Sequence, residues 1–270
     1  MPTNSFAGKV VLITGASSGI GEALARQFAK QGAKVALLAR RANKLSHIVD
    51  EINALGQKAI AITADVTQQK DLSTALEIVH QNFGLVDIVI ANAGFGVVGN
   101  FETLTVEDYQ RQFETNVYGV LNTLYTTLID LKNTQGHMVL IGSVAGYVCW
   151  PKTSPYSMSK FALRALAQSL YVELASYNIS VTLVSPGFVK TEIRNVDNQG
   201  VFNPDVKDPV PVWLRISATE AADQIISGIL KRKREIVVTF HAKVGLLLNR
   251  IFPNMLLWLL RYRNLSKRKK

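Results

Sequence analysis

The chain has 270 residues, 48% of them hydrophobic, which suits one large α/β domain with a substantial core better than two small ones. Its single cysteine, Cys149, excludes an intrachain disulfide and suits a reducing compartment. The net charge of +10 is lopsided: twelve Lys/Arg and one acid, Glu235, lie from residue 231 onward, so the first 230 residues sum to −1. That asymmetry points to a surface partner for the tail, such as an acidic membrane or nucleic acid. Residues 1–8 carry no apolar run of a secretory signal, so the chain is read as cytoplasmic.

Short β-rich runs alternate with helical patterns along the chain. Strands are expected over 9–14, 34–39, 59–65, 85–91, 137–143, 179–185 and 235–240. Helices are expected over 20–31, 43–55, 70–83, 106–131, 156–177 and 219–230. Nearly continuous Val/Ile/Leu in the strands is what burial on both faces requires. The alternation, with right-handed crossovers, predicts an α/β fold: a Rossmann-like, doubly wound, seven-stranded parallel sheet with helices on both faces. Residues 1–243 form this domain, and an apolar, basic helical tail occupies 244–270.

The first strand runs into Thr14-Gly15-Ala16-Ser17-Ser18-Gly19-Ile20-Gly21 at the start of the first helix. Glycines allow a sharp turn and close approach of a ligand, and the helix start offers N–H groups to a pyrophosphate. In this strand–turn–helix context, Gly15, Ser17, Ser18, Gly19, Ile20 and Gly21 are candidate cofactor contacts. The second strand then ends Leu38-Ala39-Arg40-Arg41. An NAD site usually places an acid there for the ribose 2′-OH, whereas guanidiniums suit a 2′-phosphate. NADP(H) is therefore preferred over NAD(H), with Arg40 as the main contact and Arg41 second.

Further along, Tyr156 and Lys160 lie four apart on a predicted helix and share a face. At ~4.5 Å and an effective dielectric of ~20, an ammonium would favour the phenolate by roughly 3–4 kcal/mol. That is enough to bring a phenol near neutrality and to make the pair a proton-transfer device. The 188–217 stretch follows the sixth strand and is too long for an ordinary connection. It reads as a substrate lid or as an insertion without structure.

These motifs, in this order, resemble the short-chain dehydrogenases/reductases over residues 8–240. The match comprises Thr14-Gly15-x3-Gly19-x-Gly21, Asp65-Val66, Asn92-Ala93-Gly94, Asn116, Ser143, Tyr156-x3-Lys160 and Pro186-Gly187-x-Val189-x-Thr191. The resemblance implies that Tyr156 exchanges a proton with the substrate oxygen and that Ser143 hydrogen-bonds the same atom. It implies that Lys160 lowers the tyrosine pKa and holds the nicotinamide ribose, and that Asn116 supports a water-linked proton path through Lys160. Tyr156 and Lys160 also count as cofactor contacts. Asp65 and Val66 would contact adenine, and Asn92 and Gly94 would lie beside its ribose. Pro186, Gly187, Val189 and Thr191 would frame the nicotinamide. The implied function is an NADP(H)-dependent oxidoreductase acting on a small apolar carbonyl or alcohol, working as a homodimer or homotetramer. The alternative is a nucleotide-binding regulator or scaffold without turnover.

Phe95, Val97, Val98, Cys149 and Trp150 either line an apolar substrate pocket or pack in the core. The four histidines fall at no metal-ligand spacing, so no metal is expected, and no nucleic-acid partner is expected either. The tail carries apolar runs at 244–248 and 255–260, interrupted by Arg250 and Pro253 and followed by Arg261-Tyr262-Arg263 and Lys267-Arg268-Lys269-Lys270. Two short helices in a membrane interface fit this pattern, with Trp258 and Tyr262 at headgroup depth. A second subunit, a cap over the cleft and a single span are the competing readings.

Overall fold

The computed structural model describes residues 4–203, 205, 206, 208 and 210–267. Pro204 and Pro209 of the expected lid, and Arg268, Lys269 and Lys270 of the tail, lie outside the described residues. Seven parallel strands form one sheet in the order β3-β2-β1-β4-β5-β6-β7. They are β1 (Val10–Thr14), β2 (Lys34–Ala39), β3 (Lys58–Thr63), β4 (Ile88–Ala91), β5 (His137–Ile141), β6 (Ser180–Pro186) and β7 (Glu235–Val238). The chain winds outward from β1 to β3, then returns to place β4 on the other side of β1. Carboxyl ends of strands at such a reversal leave a crevice where ligands bind.

The strands are held by alternation of their side chains. Val11, Ile13, Val35 and Leu37 face one layer, with α1 (Gly19–Lys30), α2 (Ala42–Ala54) and α7 (Ala218–Leu230) packed on it. Val10, Leu12, Ala36 and Leu38 face the other, under α3 (Gln69–Phe83), α5 (Gly119–Thr134) and α6 (Ser154–Glu173). Each such valine, leucine or isoleucine, fully buried, contributes about 1.5–3 kcal/mol, so the two-sided sheet is the main source of cohesion. Lys58 and Thr63 stay exposed on β3, which is an edge strand. Buried Asp130 accepts from the His80 ring (2.7 Å) and from the Val86 amide (2.8 Å), which fastens α5 and α3 to the approach to β4.

Two departures from the sequence reading bear on the site and the tail. The helix expected over 106–131 is α4 (Val106–Phe113), a π turn (Glu114–Tyr118) and then α5. The extra residue of a π turn rotates the side chains that follow, a device common at functional sites. Gly119 meets the break at a point where a Cβ would come within 2.6 Å of Val66 Cγ2. At the other end, β7 stops at Val238 rather than 240. Thr239, with φ +85°, caps α8 (Phe240–Ile251), its hydroxyl accepting from the Ala242 amide at 3.3 Å. The helix thus begins four residues before the expected tail boundary at 244. It meets α9 (Pro253–Lys267) at an angle of 107°. Among the described residues, no single helix is long and apolar enough to cross a membrane.

Candidate active site

The predicted motifs converge at the carboxyl ends of β1, β4, β5 and β6. Thr14, the last residue of β1, accepts at its hydroxyl from the Asn92 amide (3.0 Å) and the Ala93 amide (3.1 Å), which ties β1 to the end of β4. Asn92 donates its side-chain amide to Thr14 O and Gly15 O, at 2.9 and 3.1 Å. Asn92 therefore shapes the glycine turn itself. Gly15 has φ +64°, and a Cβ there would sit 2.7 Å from Ala93 Cα. A Cβ at Gly21 would sit 2.5 Å from Asn92 Nδ2. Backbone conformation and space both require glycine at the first position, and space alone requires it at the second. Gly19 opens α1 against the methyl of Thr191, and half-buried Ile20 packs on the core below. Such a cradle, at the amide end of a helix, fits a pyrophosphate.

The two arginines after β2 differ in their surroundings. Arg40 is largely exposed, its guanidinium 3.9 Å from Asp65. Arg41 donates from Nε and Nη2 to Ser17 Oγ (3.1 and 3.0 Å) and from Nη2 to Ser18 Oγ (2.7 Å). Its Nη1 donates to Glu192 at 2.7 Å, and Lys44 Nζ reaches the other oxygen of Glu192 at 2.6 Å. Burial opposes ionisation of Glu192, but the bonds from Lys44 and Arg41 outweigh it and hold the carboxyl below its ordinary value. Asp65 accepts from the amide and hydroxyl of Thr67, both at 2.9 Å, which sets the turn that presents Val66. Gly94 follows β4, with space for no Cβ beyond 3.0 Å from Asn116 Oδ1.

Ser143 lies just past β5 and caps the short turn Val144–Gly146, accepting from the Ala145 amide at 3.1 Å. Tyr156 lies in the first turn of α6, half-buried, with Pro155 beside it. Burial raises the Tyr156 phenol above its ordinary range, while a hydrogen bond with Ser143 and the charge of Arg194 oppose the rise. Lys160 is 5% exposed and donates to the Ile141 carbonyl at 2.8 Å, its Nζ 5.7 Å from the Tyr156 ring centroid. Burial pulls it down to about 8. The raised phenol runs opposite in direction to the effect expected of the ammonium. Lys160 is turned onto the backbone of β5, and desolvation dominates at Tyr156.

Asn116, fully buried in the π turn, accepts from the Phe95 amide (3.1 Å) and donates to Phe95 O (3.0 Å) and Ser159 Oγ (3.2 Å). Ser159 donates in turn to Tyr156 O at 2.7 Å. These side-chain bonds thus run from Asn116 to the backbone of Tyr156. Gln112, which sequence reasoning passed over, accepts from the Val97 amide at 2.6 Å and donates to Phe95 O at 2.9 Å. It lies one turn before Asn116, and that i,i+4 pairing of amides was the available signal. Together they fix the 95–97 loop, which passes beside Tyr156: a Cβ on Gly96 would lie 3.6 Å from its ring.

Of the five pocket candidates, Phe95 and Val97 are buried, whereas Val98, Cys149 and Trp150 are exposed. Described residues of the 188–217 segment reach the Val98 loop. Asn198 accepts from Val98 N at 2.9 Å and donates to Val98 O at 3.0 Å, while Arg111 holds Asn198 O at 3.0 Å. Asp208 staples the segment internally to Arg194 and Arg215, both at 2.9 Å. At its root, Pro186 ends β6 and Gly187 donates to Val238 O at 3.1 Å. Buried Val189 bridges to Ile216, and Thr191 abuts Gly19. His241 of α8 stacks on Phe188 with centroids 5.5 Å apart, so the tail is rooted beside this strap.

Comparisons with known proteins agree with this architecture. The family model "short chain dehydrogenase" matches residues 9–201. The chain is 32% identical over 264 residues to 11-beta-hydroxysteroid dehydrogenase 1A of Arabidopsis thaliana, covering 93% of this chain and 74% of that protein. A short chain dehydrogenase/reductase of Burkholderia phymatum, solved in complex with NAD, superposes with a TM-score of 0.82 at 26% identity, over 94% of this chain and 96% of that one. The alcohol dehydrogenase of Thermococcus sibiricus, complexed with 5-hydroxy-NADP, gives 0.75 at 30% identity, over 85% and 95%.

Proposed function

The chain belongs to the short-chain dehydrogenase family, and we propose that it is an NADP(H)-dependent reductase of an apolar carbonyl, or the dehydrogenase of the matching alcohol. The observation that carries the reaction class is Tyr156 with Ser143 at the carboxyl end of β5, next to the glycine cradle. A nicotinamide, when bound, supplies or accepts the hydride. Gly15, Ser17, Ser18, Gly19, Ile20 and Gly21 would hold its pyrophosphate side, and Pro186, Gly187, Val189 and Thr191 its nicotinamide side. With its pKa raised, the Tyr156 phenol keeps its proton at neutral pH and serves as the acid toward a carbonyl oxygen. Ser143 donates to that same oxygen as its charge grows, a contribution that needs no reorganisation. Lys160, at about 8, is mostly cationic at pH 7 and would offer its charge to the nicotinamide ribose.

Five observations support the finer reading. β2 is followed by Arg40 and Arg41 with no acid between it and α2, which favours a 2′-phosphate. The exposed rim of Val98 and Trp150 favours an apolar substrate, and similarity to a hydroxysteroid dehydrogenase supports a lipid- or steroid-like one. The tail 244–270, rich in cations and exposed apolar residues, supports peripheral contact with the cytoplasmic face of a membrane. Exposed Tyr125 and Ile129 on α5 and Val172 on α6 favour a homodimer or homotetramer.

The test is NADPH oxidation over a panel of lipid-like ketones. Tyr156→Phe, which removes the proton and keeps the ring, should lower turnover by about 10²–10⁴-fold. Equal, slow oxidation by both proteins across the panel would leave the nucleotide-binding scaffold as the better reading.

A further inference from the structure

We propose that Glu192 is a cofactor-discriminating residue, whose carboxylate competes with the 2′-phosphate of NADP(H) for Arg41 and Lys44. The proposal rests on the NADP(H) reading above and deepens it. Glu192 sits directly after Thr191, on the short 3₁₀ turn Glu192–Asn195 that leads into the lid. Its two partners come from the far side of the cleft, where Arg41 follows β2 and Lys44 lies in the first turn of α2. Arg41 is bound at the same time to Ser17 and Ser18 of the phosphate turn. One guanidinium is thus shared between the turn that would receive the cofactor and an acid of the lid root.

A phosphate dianion drawn to Arg41 would share that guanidinium with a like charge. Two anions on one guanidinium repel, so either the acid lets go or the phosphate binds less tightly. NAD(H) has a hydroxyl in place of the 2′-phosphate and escapes this competition. Side-chain exposures of 37% for Arg41 and 31% for Glu192 mean that solvent screens the effect, which sets a moderate size. The sequence favours NADP(H) through its arginines, and Glu192 moderates that preference.

The experiment measures Kd for NADP⁺ and NAD⁺ by calorimetry on the full chain, at low and high salt. The variants are Glu192→Gln, Glu192→Ala and, as a separate arm, Arg40→Ala. Glutamine keeps the side chain's shape and its carbonyl acceptor while removing the charge. Both Glu192 variants should bind NADP⁺ about 3- to 10-fold more tightly at low salt, with NAD⁺ changed less than twofold and the gain shrinking as salt rises. Unchanged or weaker NADP⁺ binding in both folded variants, or an equal gain for NAD⁺, would overturn the proposal. The NADP(H) reading fails on a different result: wild type binding NADP⁺ no more tightly than NAD⁺, with Arg40→Ala leaving both affinities unchanged. Because the proposal concerns the change in the ratio of NADP⁺ to NAD⁺ affinity on removing Glu192, it is decided either way.

Discussion

Lys160 shows how a residue can keep its assigned place and still act through a different balance of forces. Its spacing from Tyr156 is legible in the sequence, but the direction of its ammonium is not. The structure turns Nζ onto Ile141 O and surrounds the side chain with protein, and burial brings the pKa to about 8. An unfolded lysine titrates near ~10.4, so between about pH 8 and 10.4 the unfolded chain binds more protons than the native one. Stability therefore rises with pH across that window, and the full cost, on the order of 3 kcal/mol, is present below pH ~8. Lys160→Met should gain stability relative to wild type near pH 7, and that relative gain should shrink by about this amount by pH ~10.5. Urea unfolding of both proteins at the two pH values measures it. A constant difference across the window would show that burial does not depress this lysine. The Arg41–Glu192–Lys44 triad was invisible for another reason. Glu192 lies 151 positions from Arg41 and 148 from Lys44, and no local pattern signals such a pairing.

The sheet was the most legible level of the architecture, because strands covered on both faces must be nearly continuous in Val, Ile and Leu. Element ends were less legible. Phe240 and His241 suit a strand end or a helix start equally well, and Thr239 decides the matter only once its positive φ and its cap are seen. The π turn at Glu114–Tyr118 was hidden because one inserted residue leaves composition and apolar spacing nearly unchanged. Its consequence is local and large. Asn116 and Gln112 together satisfy the buried backbone of Phe95 and Val97. Gln112→Leu keeps a comparable volume but strips Val97 N of its partner and leaves Phe95 O with Asn116 alone. A buried group left unsatisfied costs about 1–3 kcal/mol, so the variant should lose roughly 2–3 kcal/mol in urea unfolding. Amide exchange at Val97 should accelerate as well. Wild-type stability and exchange would mean that the 95–97 loop is held by its own packing.

At the scale of the molecule, charge and apolar exposure are concentrated on one appendage. Residues 244–270 hold seven basic residues and no acid. Leu247, Ile251, Phe252, Leu257, Trp258 and Tyr262 are all more than half exposed on α8, α9 and the bend between them. Trp258 and Tyr262 stack at 5.9 Å, and paired amphipathic rings of this kind favour headgroup depth. Each cation near an anionic surface contributes about 1 kcal/mol, and the apolar residues add burial in the acyl boundary. A cut after Lys243 leaves His241 stacked on Phe188, so the strap beside the active site keeps its support. The truncated chain should then turn over reduced nicotinamide with a water-soluble ketone at the rate of the full chain, and lose co-sedimentation with vesicles of phosphatidylserine and phosphatidylcholine. The full chain should co-sediment at low salt and partly release as salt rises, because part of its attraction is screened. If the full chain ignores the vesicles, and truncation instead halves the mass measured by light scattering, the apolar face belongs to a second subunit. Retained sedimentation after truncation would place the membrane contact elsewhere on the domain.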